Sequence, residues 1–102
     1  DDVSIAGAAA TSKSPADYML SSQPLSVEPY GIMLRRNDEA FKTLVNQTLE
    51  GLYKTGEINT IYAKWFTQPI PPRGINMNFP MSSQLKNVIA HPTDDSNPDL
   101  YR

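Results

Sequence analysis

The chain has 102 residues and a mass of 11.3 kDa, which allows one domain at most. It has no Cys and a single His, which excludes a disulfide framework, a thiol nucleophile, an iron–sulfur site and a multi-histidine metal centre. A net charge of −2 gives no electrostatic basis for binding nucleic acid, and the longest run free of polar residues, 5–10, is far short of a membrane span.

The chain opens Asp1-Asp2-Val3-Ser4-Ile5, with no initiator Met and no leader. Such a start suggests a processed or trimmed polypeptide. Residues 3–10 are small and apolar and permit a short, tightly packed helix, although Gly7 weakens it. Lys13-Ser14-Pro15-Ala16-Asp17 reads as a turn, and Tyr18-Met19-Leu20 as a short strand. Next comes Val27-Glu28-Pro29-Tyr30-Gly31-Ile32-Met33-Leu34. Its four residues from Tyr30, 30–33, suit a strand buried on both faces, with regular pairing beginning only after Pro29, which has no N–H to donate.

The strongest periodic signal follows. Phe41, Leu44, Val45, Thr48, Leu49, Leu52 and Tyr53 form one stripe at helical spacing. Asn37 and Asp38 are N-cap candidates, Glu39 suits the positive end of the helix, and Gly56 can take the left-handed conformation that stops it. The pattern restarts with Ile58, Ile61, Tyr62, Trp65 and Phe66 and ends at Pro69 and Pro71-Pro72. The spacing predicts helices over 38–55 and 57–67. Beyond them a third helix is expected at 82–90, with Ser82 as its cap and Leu85, Val88 and Ile89 as its apolar face. The acidic, proline-punctuated end, 93–99, reads as disordered. The two long helices expose more apolar surface than they can cover between themselves. They need a sheet or another helix layer to lie on.

The order of these pieces is informative. The run 23–34 precedes Arg35-Arg36-Asn37-Asp38, then Phe41-Lys42-Thr43-Leu44-Val45, Gly56-Glu57-Ile58 and Ile61-Tyr62-Ala63-Lys64-Trp65-Phe66. This series resembles the C-terminal part of the bacterial extracellular solute-binding proteins (family 3) that serve amino-acid ABC transporters. The stretch Pro69-Ile70-Pro71-Pro72-Arg73-Gly74-Ile75-Asn76-Met77-Asn78-Phe79 is similar to the glutamate/aspartate branch. The resemblance covers about residues 1–90 and rests on order and spacing, since a KWF-type helix end alone is widespread.

The resemblance implies an α/β architecture, of which this chain would be a C-terminal fragment: the two-lobe periplasmic-binding-protein fold of type II. Residues 1–25 would end the smaller lobe, and 26–30 would form an inter-lobe crossing segment. Residues 31–68 would supply the returning strand and closing helices of the larger lobe, and 69–102 a Pro-rich extension with a disordered end. It implies ligand contact at Asp1, with Asp2 beside it, because a family Asp accepts the ligand's α-ammonium group. A carboxylate suits that task, since an ammonium leaving water needs a charged acceptor. Read without the resemblance, the same two residues are terminal, solvated acids. Ser26, Val27, Glu28, Pro29 and Tyr30 would be the hinge, with the fixed φ of Pro29 limiting how the lobes swing. The arginines and hydroxyls that hold the ligand's carboxylates lie upstream in the family, and Arg35 and Arg36 are not substitutes for them.

The implied function is a periplasmic receptor, its leader removed, that captures glutamate or aspartate and docks on a membrane permease. The missing upstream part of the same protein would be its further partner. An enzyme on the same two-lobe fold and a helical interaction fragment are the alternatives. No Ser-His-Asp order, P-loop or dinucleotide fingerprint occurs, and neither a cofactor nor a metal is expected. His91 reads as a surface residue, Tyr62, Trp65 and Phe66 as packing rather than a stacking platform, and Asn46-Gln47-Thr48 as a chance sequon. Asp94, Asp95 and Asp99 read as solvated acids rather than a cation site. Alone, the chain is expected to bind no amino acid and to self-associate through its open apolar faces.

Overall fold

A computed structural model describes residues 1–102. Four α-helices carry it: α1 (Asp2–Ala10), α2 (Glu39–Thr55), α3 (Glu57–Tyr62) and α4 (Ser83–Ala90). Short 3-10 turns lie at Pro15–Asp17 and Pro98–Tyr101, and a π-helical turn, Ala63–Thr67, extends α3. The chain divides into two compact units. One comprises Asp1–Leu25 and Asn59–Met81, the other Ser26–Ile58 and Ser82–Arg102.

In the first unit, α1 is made of small residues and buries Ala6, which is 4% exposed. Ser12 Oγ and Thr11 Oγ1 donate back to the Ala9 and Gly7 carbonyls at 2.8 Å, tying off the helix end. The π-helical turn brings the Tyr62 and Phe66 rings to 4.4 Å between centroids, and Lys64 Nζ lies 5.0 Å from the Trp65 ring. Its last carbonyls are satisfied by returning chain. Phe79 N–H donates to the Phe66 carbonyl at 2.9 Å, and Asn76 Nδ2 to the Thr67 carbonyl at 3.1 Å. Between them the chain reverses in a tight loop, with Ile70 N–H bonded to the Ile75 carbonyl at 2.9 Å. Gly74 takes a φ of 68° there, a conformation costly for any residue with a Cβ.

In the second unit, α2 begins and ends where the periodicity predicts. Asp38 is the N-cap, accepting from Phe41 N–H at 3.1 Å, and Gly56 stops the helix at a φ of 77°. Val45, Leu49, Leu52 and Tyr53 are half-buried, but Phe41 and Leu44 remain exposed at the start of the stripe. α4 also forms as expected, with Ser82 Oγ accepting from Leu85 N–H at 3.1 Å. It packs against α2 and against the Pro98–Tyr101 turn.

Two expectations require correction. The strand at 30–33 does not form: Tyr30 is 85% exposed, Met33 is 96% exposed, and the segment enters no ladder. The strand at 18–20 is absent too, with Met19 exposed. The isolated bridge between Ile70 and Ile75 is the whole of the β-pairing, so the chain by itself is helical rather than α/β. The physical reason is plain. A strand satisfies its backbone groups only through a neighbouring strand, and the chain builds no second strand beside these segments.

At the C-terminal end, local bonds run along residues 93–102. Asp95 N–H donates to Thr93 Oγ1 at 3.2 Å, Asn97 N–H to Asp95 Oδ1 at 2.8 Å, and Asp99 N–H to Asn97 Oδ1 at 3.1 Å. Each is a polar side chain capping a nearby amide, which shapes a turn without an apolar core. Tyr101 is buried at 9% exposure, and its hydroxyl donates to the Asp95 carbonyl.

Candidate functional site

Asp1 is the N-cap of α1. Its Oδ1 accepts from Val3 N–H at 3.0 Å and from Ser4 N–H at 3.2 Å, while its Oδ2 accepts from Ser4 Oγ at 3.0 Å. Bonds to both oxygens fix the carboxylate's orientation, and the helix end favours its charge. Asp2 follows in the first turn, where its Oδ1 accepts from Val3 N–H at 2.9 Å. Both acids are exposed. The field of Asp2 reaches Tyr62, whose phenol is raised above its ordinary range, first by burial and then by that charge. An anchored carboxylate of this kind can accept charge-assisted bonds from an ammonium group.

The crossing-segment residues lie in the second unit, which begins at Ser26. Ser26 Oγ donates to Glu28 Oε1 at 3.2 Å, Val27 is half-buried, and Pro29 and Tyr30 are exposed. No regular element spans them. Arg35 faces solvent and pairs with Asp38 at 2.8 Å, so it serves the N-cap of α2. Arg36 is exposed as well.

A shallow apolar hollow of about 190 Å³ lies in the first unit, between Gly7 and Thr11 of α1 and the loop carrying Ile70, Pro71, Arg73 and Ile75. It is at the opposite end of α1 from Asp1 and Asp2. Its walls offer an amino acid few polar partners beyond Arg73. The acids, not the hollow, carry the chemistry suited to an ammonium.

The remaining candidates sit as follows. His91 is the C-cap residue of α4, where its N–H donates to the Asn87 carbonyl at 2.8 Å. Asp94, Asp95 and Asp99 do not converge, and no group of three or more acids or histidines is placed to hold a metal ion. Asn46 of the sequon is engaged on α2, donating to Asp94 Oδ2 at 3.1 Å. Lys42 Nζ meets the same oxygen at 3.0 Å. This junction was hard to see in the sequence, because Asp94 stands at least 48 residues from its partners. Only the i, i+4 spacing of Lys42 and Asn46 on one face of α2 hinted at a shared partner.

Comparison with known proteins agrees with the residue-level resemblance. No family model matches the chain. Over 94 residues, 92% of its length, it is 51% identical to the L-glutamate/L-aspartate-binding protein of Pseudomonas aeruginosa. Over the same share it is 40% and 39% identical to the glutamate/aspartate import solute-binding proteins of Salmonella typhimurium and Escherichia coli. The chain is therefore a homologue of amino-acid solute-binding proteins. Within that class, these three relatives, each matched over 92% of the chain, are named for glutamate and aspartate, as the residues 69–79 indicated. It spans 31% of the length of each of these relatives.

Proposed function

We propose that the chain works as the C-terminal portion of a longer receptor, the periplasmic substrate-binding component of an ABC importer that captures glutamate or aspartate. The observation that carries this reading is the 51% identity to an L-glutamate/L-aspartate-binding protein over 92% of the chain. Asp1 accepts the α-ammonium group of the amino acid, with Asp2 adding negative potential beside it. The three donors on Asp1 support this role, because a carboxylate already oriented loses little freedom when ligand arrives.

In this reading the upstream part of the protein provides the sheet, the second lobe and the arginines and hydroxyls that hold the ligand's carboxylates. Ser26, Val27, Glu28, Pro29 and Tyr30 form the second crossing between two α/β lobes that close on the ligand, after which the closed form docks on a membrane permease. The open start of the α2 stripe and the exposed apolar side chains of Ile32 and Met33 support the need for that sheet. The relatives are named for binding and import, which favours capture over turnover.

Calorimetric titration of the full-length protein with L-glutamate tests the proposal. Asp1→Ala is expected to cost about 3–5 kcal/mol, the scale for leaving a charged group unpaired in a closed site. That is at least about a hundredfold in affinity. A variant binding within about threefold of the parent would remove Asp1 from the site. A parent that refused both glutamate and aspartate would sink the ligand assignment itself.

A further inference from the structure

The end of the chain folds back on α2 through one acid. Asp94 Oδ2 receives both Lys42 Nζ at 3.0 Å and Asn46 Nδ2 at 3.1 Å, so a single oxygen bridges successive turns of the helix. Seven residues further on, Tyr101 is buried, and its turn packs against α4, which itself packs against α2. Around these anchors run the side-chain-to-backbone bonds of Thr93, Asp95 and Asn97, and Arg102 Nε pairs with Asp99 at 3.1 Å. The segment is thus shaped locally and attached at two points. We propose that residues 93–102 are a detachable clasp that holds α4 against α2, with Asp94 as its ionic catch and Tyr101 as its apolar anchor.

The two attachments differ in kind. The Lys42 and Asp94 side chains are each about half exposed, at 50% and 56%, so mobile ions reach the catch and screen it. Tyr101, at 9% exposure, is indifferent to salt. Glu39 also acts on Lys42 and adds to the local field, while Asn46 contributes a neutral bond that salt leaves in place. A clasp built this way loosens at the Asp94 end first. It then depends on Tyr101 to close again. Opening frees the part of α4 that the Pro98–Tyr101 turn covers and releases Lys42 and Asn46 from Asp94.

Hydrogen–deuterium exchange of the full-length protein, followed over residues 83–90, reads the clasp directly. Asp94→Asn is expected to speed exchange there about two- to fivefold, the range for an exposed ion pair. About 0.5 M NaCl should produce the same acceleration in the parent and add little to Asp94→Asn. Tyr101→Ala should speed exchange at least about tenfold, since it removes the buried anchor. Residues 2–10, in the other unit, should keep the parent rate throughout. If 83–90 exchange at the parent rate in Asp94→Asn, in Tyr101→Ala and in high salt, the tail is a passenger and the proposal fails. Equal acceleration in 2–10 would also overturn it, because the variants would then be loosening the whole molecule.

Discussion

The segments 26–34 and 39–55 are neighbours in sequence and both carry large apolar residues, the first more densely, yet 39–55 is a 17-residue helix and 26–34 has no regular structure. The helix closes its own hydrogen bonds from residue to residue, and only its ends need outside help. Asp38 and Gly56 supply that help from positions the chain itself provides. Residues 30–34 have the composition of a buried strand, but every ladder bond they could make requires a second strand. The contrast separates structure a chain can build locally from structure it can only contribute to a larger fold.

Proline substitution separates the two segments most sharply. Leu49→Pro should destabilise α2 by about 3 kcal/mol or more, by deleting an internal bond and clashing with the preceding turn. The loss would be visible as rapid amide exchange across 39–55. Ile32→Pro is a test of context. In the 102-residue chain it should leave helix content unchanged, with an effect within about 0.5 kcal/mol. In the full-length protein it should cost on the order of 2 kcal/mol, because a paired strand would lose a ladder donor. Equal effects in the two settings would remove the distinction between the segments.

Gly56→Ala probes how far the helix end is locally determined. Its φ of 77° should cost an alanine about 1 kcal/mol, seen as a lower denaturation midpoint with an unchanged slope. The smallest effect is the pH response of the tail. Hydrogen bonds from Lys42 and then Asn46, with the Lys42 charge, hold the Asp94 carboxyl below its ordinary range. A depressed carboxyl stabilises the docked tail fully above the ordinary carboxylate range. That contribution disappears as pH falls through the lowered value. Lys42 is raised above the usual lysine range, chiefly by its bond to Asp94, so its contribution is lost only as pH rises through that raised value. Exchange over 83–90, corrected for intrinsic rate, should therefore quicken at acid pH, and Asp94→Asn should flatten that acid limb.

What could be seen in the residues follows the same division. The cap at Asp38, the stop at Gly56, the acid at Glu57 and the cap at Ser82 are each decided within a few positions, and all were legible. That this segment builds no strand here was not legible, because composition reports what a segment can pair with and not whether the partner is present. The contacts of the tail were hidden for the opposite reason. Its acids and prolines suggested a solvated coil, while Asp94 meets Lys42 and Asn46 from at least 48 positions away, which no local pattern connects. Asp1 and Asp2 were legible as candidates only through the order of surrounding motifs. Their geometry as cap and first-turn acid became visible in the structure.

The central claim is that residues 30–34 and the open start of the α2 stripe are halves of contacts completed by the rest of a two-lobe receptor. Amide exchange of 30–34, measured in the 102-residue chain and in the full-length protein, tests it most directly. The account predicts fast exchange in the short chain and at least about a hundredfold protection in the long one, the behaviour of a strand in a core sheet. Equally fast exchange in both would contradict it, leaving 30–34 an exposed linker in the whole protein as well.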